Sequence, residues 1–171
     1  WQSFDYPTNT MLPFMKLGLD RRTGLSRYLT SWKSKDDPKT GMYSYKIDPI
    51  RYPQFLLYKG QTPLWRVGSW SGQGLTGVPE MKSKLYNSDV NVSFVNNQDE
   101  ITIMYSITEP DIYSKIMFVL DESGTFGRYT WGDGKWVRFW FNPKESCDIY
   151  LRCGPNSYCD PYKGEEFDCT C

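Results

Sequence analysis

Histidine is absent from this chain of 171 residues, and net charge and long apolar runs are absent with it. Without histidine, the sequence lacks the usual general base of serine and cysteine nucleophiles. Its 20 basic and 20 acidic side chains cancel, so no positive field exists to attract nucleic acid or an anionic membrane. No run of eighteen apolar residues occurs, so nothing in the sequence is expected to span a bilayer.

No signal peptide is visible, and the chain opens with Trp1. We therefore expect an excised segment of a longer protein, with any leader or membrane anchor outside it.

Nucleotide and catalytic motifs are weak or missing. Gly72-Gln73-Gly74-Leu75-Thr76-Gly77 fits G-x-G-x-x-G, but a dinucleotide site needs a strand before this motif and a helix after it. Pro79 and the glycines predict a loop instead. The kinase signatures are absent, and the acidic pairs Asp36-Asp37 and Glu165-Glu166 lie in polar stretches typical of solvated loops. We expect no enzyme activity and no cofactor in this segment, although an acid–base pair assembled across the fold stays an alternative.

Cysteine is missing from the first 146 residues and crowded into the last 25. The spacing is C-x₅-C-x₅-C-x₉-C-x-C, with no C-x₂-C pair and no histidine for zinc. This pattern predicts a disulfide framework formed in an oxidising compartment. Because five is odd, one partner is missing, and a sixth cysteine is expected outside the chain, just past Cys171. The five positions are Cys147, Cys153, Cys159, Cys169 and Cys171.

Short alternating runs punctuated by Gly, Pro, Asn and Asp predict an all-β fold. No window of a dozen residues has convincing helical periodicity. Eight runs suggest a barrel, sandwich or prism, and two of them are joined by a hairpin at residues 96–99. The runs are 42–48, 54–59, 62–67, 90–95, 100–107, 115–120, 125–131 and 136–141.

Two long segments show an internal echo, since both follow the same order of predicted strands and turns. GMYSYKIDPIRYPQFLLYKGQTPLWRVG and FVLDESGTFGRYTWGDGKWVRFW each contain a strand, an Asp-containing turn, an aromatic strand, a second turn and a Trp strand. Repeated three-strand units favour a prism or propeller-like body.

Tryptophan is expected to supply much of the core. Trp136 and Trp140, an even number of residues apart, are predicted to share one sheet face. The leading candidates are Trp65, Trp70, Trp131, Trp136 and Trp140, with Trp32 as a further one.

Several motifs in sequence order resemble one family. WQSFDYPTNTMLPFMKLG resembles the closing strands of a bulb-type lectin domain. LTSWKSKDDPKTGMYSYKID, PQFLLYKG, RVGSWSG and FVNNQDEI are similar to the S-locus glycoprotein domain, and CDIYLRCGPNSYCD is similar to the EGF-like module that follows it. The sequence is therefore identified as resembling plant S-locus glycoproteins and G-type lectin S-receptor-like serine/threonine kinases.

This resemblance implies a lectin-like β-prism followed by a small disulfide-rich EGF-like module. It places the end of an upstream lectin domain at residues 1–28, the S-locus glycoprotein domain at 29–145, and a truncated EGF-like module at 146–171. It also implies Cys147–Cys159 and Cys153–Cys169 bonds, whereas the spacing alone leaves many connectivities open.

The resemblance further implies an extracellular recognition segment of the pollen-recognition type, anchored at the plasma membrane by a span outside it. Its partner would be a small cysteine-rich protein or peptide, with a receptor homodimer also possible. A carbohydrate-binding module and a structural spacer of the ectodomain remain alternatives. Candidate contact residues in two variable regions are Arg51, Tyr52, Tyr58, Lys59, Met81, Lys82, Leu85 and Tyr86.

Three further motifs concern sugars and metals. Asn91-Val92-Ser93 is the only glycosylation sequon, and alternation predicts that Asn91 faces outward. The bulb-lectin string Q-x-D-x-N-x-V-x-Y is absent, since Gln54 and Tyr58 have no Asp or Asn between them. No metal is expected, because the stretch 142–146 before the first cysteine carries only one carboxylate.

Overall fold

The computed structural model describes residues 4–50, 52–82, 89–108, 115–162 and 168–170. Within these ranges the chain is built from strands and two single 3₁₀ turns, Pro79–Lys82 and Ser146–Asp148. The fold is therefore all-β, as predicted. The strands are β1 Thr10–Met11, β2 Leu17–Asp20, β3 Ser26–Arg27, β4 Leu29–Ser34, β5 Asp37–Asp48, β6 Gln54–Lys59, β7 Thr62–Ser69, β8 Val90–Asn96, β9 Glu100–Ile107, β10 Ile116–Leu120, β11 Phe126–Gly132, β12 Lys135–Asn142, β13 Tyr158–Asp160 and β14 Asp168–Thr170.

Three antiparallel four-stranded sheets make up the body. Sheet A has the order β1-β10-β11-β12, sheet B the order β3-β2-β9-β8, and sheet C the order β4-β5-β6-β7. Buried side chains from all three sheets form one continuous core. A separate hairpin, β13–β14, lies in the cysteine-rich segment.

The two echoing segments form equivalent parts of this body. The first supplies the meander β5-β6-β7 of sheet C, and the second supplies β10-β11-β12 of sheet A. In each sheet the fourth strand comes from earlier in the chain and pairs with the first strand of the meander. The prism-like repetition inferred from the sequence is thus a repetition of whole sheets.

Strands β1 to β3 complete sheets A and B. Thr10 pairs with Val119 and Leu17 pairs with Ile103, so β1 and β2 are joined to strands about 80 to 110 positions later, and β3 pairs with β2. Gly18 allows the close approach of β2 to β9, because a Cβ at this position would overlap the Ile101 carbonyl oxygen. Whichever domain the first 28 residues derive from, residues 10–27 pack with the prism, and the boundary at residue 28 stays a prediction.

The centre of the prism is a chain of aromatic rings drawn from each sheet. The ring of Tyr45 in sheet C stacks on that of Phe126 in sheet A, with 4.4 Å between centroids. Tyr105 in sheet B meets the edge of Phe118 at 4.8 Å, and Trp140 packs against Phe118 and Phe126 at 5.8 and 6.1 Å. Offset and edge-on pairs of this kind add to the free energy of burying the rings themselves.

The Tyr105 hydroxyl ties two sheets together inside this core. It lies 3.1 Å from the carbonyl oxygen of Met11 and 3.2 Å from that of Ile116. Burial raises the pKa of Tyr105 well above its ordinary value, so the hydroxyl keeps its proton and donates to these carbonyls. Sheets A and B are thereby joined by a buried hydrogen bond in addition to their apolar contacts.

The tryptophan predictions are partly wrong. Trp65 and Trp140 are buried as predicted, and Trp70 is half-buried and stacked on Phe94. Trp131 and Trp136, in contrast, are 41% and 39% exposed. They face each other across the β11–β12 hairpin, with 5.5 Å between ring centroids.

A β-bulge explains why Trp136 and Trp140 do not share a face. Arg128 pairs with Trp140, but Tyr129 pairs with Arg138, so Phe139 is an extra residue on β12. An extra residue shifts the inward–outward alternation by one position. Trp140 therefore points into the core, while Trp136, on the other side of the bulge, points to the opposite face of the sheet.

Replacing these two tryptophans gives a matched test on one strand. Trp140→Ala should lower the free energy of unfolding by about 3–5 kcal/mol, because it opens a cavity among Phe118 and Phe126. Trp136→Ala removes only an exposed ring pair and should cost about 1 kcal/mol or less. Urea unfolding followed by far-ultraviolet circular dichroism measures both. Equal losses would contradict the assigned faces.

Candidate ligand-recognition surface

The first group of predicted contact residues flanks β6. Tyr52 lies in the β5–β6 turn and is 84% exposed, Tyr58 is half-buried, and Lys59 is exposed where β6 ends. Arg51 lies outside the described residues. Since a strand rises about 3.3 Å per residue, Tyr52 and Lys59 lie roughly 20 Å apart at opposite ends of β6. Tyr58 and Lys59 are consecutive residues of β6, and alternation directs their side chains to opposite faces of sheet C. The structure therefore does not gather Tyr52, Tyr58 and Lys59 on one surface.

Tyr58 is surrounded by polar groups on the outer face of sheet C. The Lys46 ammonium lies 4.4 Å from the centroid of its ring, a cation–π contact. Partial burial, together with the charges of Asp48 and Tyr150, raises the pKa of Tyr58 above its ordinary value. The phenol is therefore protonated at neutral pH and can donate a hydrogen bond.

Two neighbours of this surface were missed by the sequence reasoning. Lys46 contacts Tyr58, and Arg66 donates to the side chain of Gln54 at 2.7 Å. Alternation could have found Lys46, because it lies between the inward-facing Tyr45 and Ile47. Arg66 gave the same signal, because it lies between the buried Trp65 and Val67. Its contact with Gln54 did not follow from the sequence, since bulges in β7 shift its pairing against β6.

The second group of predicted contact residues is only partly described. Met81 lies in the 3₁₀ turn Pro79–Lys82 and packs against the core, half-buried. Leu85, Tyr86 and the side chain of Lys82 lie outside the described residues. Met81 thus serves the packing of this turn, and the role predicted for the second region stays a prediction.

The cysteine-rich segment is tied to the prism beside Tyr58. Cys147 pairs with Cys159 and Cys153 with Cys169, the pairing that the EGF-like resemblance implies. Cys171 lies outside the described residues.

Backbone and charge contacts hold this segment against the body. Ile149 forms a β-bridge with Trp65 on β7, and the N–H of Tyr150 donates to the Leu64 carbonyl at 2.7 Å. The Lys144 ammonium and the Glu80 carboxylate form an ion pair at 2.7 Å. The segment therefore continues the free edge of sheet C instead of hanging from a linker.

Asn91 lies on β8, an edge strand of sheet B, and its neighbours alternate as predicted. Val90 is buried, Val92 is half-buried, and Asn91 and Ser93 are exposed. The sequon therefore faces solvent on a strand whose outer edge pairs with no other described strand.

Other candidate sites contribute no binding chemistry in the described part of the chain. Gly72 to Gly77 form an irregular loop between β7 and the 3₁₀ turn, with no helix following. No cluster of three or more potential metal ligands occurs among the residues described. No described helix is long and apolar enough to cross a bilayer.

Comparisons with known proteins agree with this architecture. A sequence model of the S-locus glycoprotein domain matches residues 65–171, and one of the D-mannose binding lectin matches residues 1–33. A G-type lectin S-receptor-like serine/threonine-protein kinase of Arabidopsis thaliana is 47% identical over 100% of this chain, which spans 20% of that protein. An S-locus-specific glycoprotein of Brassica oleracea var. alboglabra is 45% identical over 94% of the chain, and the match spans 36% of that glycoprotein.

The described fold and these matches define the class of protein as a lectin-like extracellular ectodomain segment, of the kind shared by S-locus glycoproteins and G-type lectin receptor kinases. The chain belongs to the S-locus glycoprotein family. It corresponds to the S-locus glycoprotein and lectin region of the receptor kinases, not to their kinase domain.

Removing one disulfide should disorder the cysteine-rich segment and leave the prism folded. Cys153→Ser with Cys169→Ser should abolish protection from hydrogen exchange in β13–β14, because a native disulfide in a small module contributes about 2–5 kcal/mol. The prism should keep its protection, since the first 146 residues contain no cysteine.

Hydrogen-exchange mass spectrometry measures both regions in one experiment. Tyr162→Ser, at a side chain that is 94% exposed in the same segment, is the matched control and should change neither. Retained protection of β13–β14 in the double variant would contradict the expectation.

Proposed function

We propose that this chain is the recognition segment of a plant receptor-like kinase of the pollen-recognition type, and that it binds a small cysteine-rich protein or peptide. The observation that carries the proposal is the half-buried, polar and aromatic outer face of sheet C around Tyr58, in a chain that matches a G-type lectin S-receptor-like kinase from end to end. Tyr and Arg are enriched at protein interfaces because they combine a large contact area with a polar group.

The geometry favours a surface over a pocket. Tyr52, Tyr58 and Lys59 lie on a turn, on an outer sheet face and at a strand end, while Met81 packs against the core. Flat surfaces of this kind suit a folded protein ligand, whereas small ligands prefer concave sites. Functional side chains on loops held by a rigid body are a common arrangement.

We further propose that the segment works on the outer side of the plasma membrane, in a parent chain that carries a membrane anchor and a kinase domain. The kinase domain is proposed because the Arabidopsis relative is named as a serine/threonine-protein kinase. Residues 1–28 would then derive from an upstream lectin domain, residues 29–145 from the S-locus glycoprotein domain, and residues 146–171 from the EGF-like module. A homodimer of the receptor is part of this proposal.

Alanine substitutions test the recognition role. Arg51→Ala, Tyr52→Ala and Tyr86→Ala in the full ectodomain should each weaken ligand binding by more than about 1 kcal/mol if they are hot spots. The probes are a display library of small secreted cysteine-rich proteins and, for the carbohydrate alternative, a glycan array. Biolayer interferometry measures the affinity.

Arg22→Ala, which removes an exposed cation from the β2–β3 turn of sheet B, is the matched control and should bind normally. Unchanged affinity in all three variants, with the fold intact, would exclude these regions as the site. Binding to the glycan array alone would favour the carbohydrate-binding alternative, which the lectin match at residues 1–33 makes worth testing.

Glycosylation of Asn91 is a further part of the proposal. Its exposure on the edge of sheet B gives the modifying enzyme access to the side chain. Asn91→Gln should remove the mass of one glycan from the secreted protein, as intact-mass spectrometry would show. Asn96→Gln, on the same strand but outside the sequon, should leave the mass otherwise unchanged. Identical masses for wild type and Asn91→Gln would reject the modification.

A further inference from the structure

Strand β12 forms one free edge of sheet A, and a groove runs along it. Within the described residues β12 pairs with β11 alone. On an edge strand, every second residue directs its N–H and C=O groups away from the sheet, where they can pair with another chain. The groove has a volume of about 600 Å³, which is enough for several residues of an extended peptide.

The lining of the groove shows that it opens on the strand's edge. Arg138 and Phe141 lie on one face of β12, with the guanidinium 3.9 Å from the ring centroid. Phe139 lies on the other face, where its ring is 4.7 Å from the guanidinium carbon of Arg128. Residues from both faces line the same groove, so its floor is the backbone edge between them.

Charge and apolar surface are both presented there. Phe139 is 44% exposed. The opposite wall holds Glu80 and Lys144, which neutralise each other in an ion pair at 2.7 Å. Among the charged residues that line the groove, Arg138 alone is in no described ion pair. Its guanidinium is held in place by the Phe141 ring and by a hydrogen bond with Tyr129.

We propose that the β12 groove binds an extended, acidic peptide segment of a protein ligand, which adds a strand to sheet A and places a carboxylate against Arg138. The inference rests on the proposed recognition function and assigns it a contact region separate from Tyr52, Tyr58 and Lys59. Strand addition obtains affinity from backbone hydrogen bonds and specificity from side-chain contacts such as a carboxylate–guanidinium pair.

A second copy of the chain fits this edge less well. β12 reads KWVRFWFN, with two cations and no carboxylate. A symmetric pair of β12 strands would bring four cations and no carboxylate into one contact, so no ion pair could form between the two strands. Like charges facing each other across a strand pair are destabilising. The bulge at Phe139 also interrupts a long regular pairing and limits the added strand to a few residues.

Hydrogen exchange on the secreted ectodomain tests the added strand directly. The probe is a blocked eight-residue peptide of alternating threonine and valine with one central aspartate, at up to millimolar concentration. Bound peptide should slow exchange of the outward-facing amides in residues 135–142 by about tenfold. The edge strand β8 serves as the internal control and should be unaffected. If residues 135–142 gain no protection from exchange when the peptide is added, the proposal is overturned.

A charge swap tests the carboxylate contact. Arg138→Glu should weaken binding of the aspartate peptide by about tenfold, and a peptide with lysine in place of aspartate should regain that loss with this variant. Lys33→Glu, a charge reversal on β4 of sheet C, should change neither affinity. Tight binding of the aspartate peptide to Arg138→Glu would overturn the assignment of Arg138.

The outcomes also separate this inference from the wider function. Protection of residues 135–142 that depends on protein concentration and not on peptide would mean that a second copy occupies the edge, which overturns the inference. Loss of cognate-ligand binding in Tyr52→Ala, with no peptide effect at β12, would support the proposed function and reject the groove. The reverse result would support the groove and reject the loop surface.

Discussion

Closure of three sheets around one line of aromatic rings is the constraint on which the remainder of the structure depends. A single four-stranded sheet has one apolar face and cannot bury it alone. Tyr45, Tyr105 and Phe126 come from three different sheets and meet in one connected core. Each sheet therefore provides the apolar surface that the other two need, and no sheet can be removed without exposing the rings of both neighbours.

Because the three sheets bury their inner faces in one core, their edges and outer faces remain available for recognition. The prism needs no disulfide, because its core is large and continuous. The small segment after it has hardly any core and is held by Cys147–Cys159, Cys153–Cys169 and its bridge to Trp65. The outer face of sheet C around Tyr58 and the β12 edge of sheet A are therefore carried on a rigid body, which lowers the entropic cost of binding.

The sequence predicted best where alternation was clean and turns were marked. β6 and β9 have the predicted bounds, Gln54–Lys59 and Glu100–Ile107, because apolar residues alternate there between loops of Pro, Gly, Asn and Asp. β1 and β3 were missed, because a two-residue strand has no period to detect. β1 depends on its pairing with β10, about 110 positions later, and β3 depends on its pairing with β2.

The errors in side-chain direction have one physical source. Parity of position predicts a face only while the ladder is regular, and the extra residue at Phe139 reverses the direction of Trp136 relative to Trp140. Alternation directs Arg66 outward correctly, but bulges in β7 shift its partner on β6. The disulfide pairing followed from the resemblance to a family, since spacing cannot choose among connectivities. The contact residues could be proposed from sequence, but alternation cannot show that Tyr52 and Lys59 end up at opposite ends of a strand.

The pairing of β1 with β10 limits how early β1 can find its partner while the chain is being synthesised. Thr10 finds its partner Val119 only after more than a hundred residues have been synthesised. At about 5–20 residues per second, that interval is roughly 5–20 s. During this time the first strands lack their partners, while sheet C, whose strands are neighbours in sequence, can already form. Contacts of such long range slow the final closure, so a newly made chain depends on protection from aggregation until residue 120 has emerged.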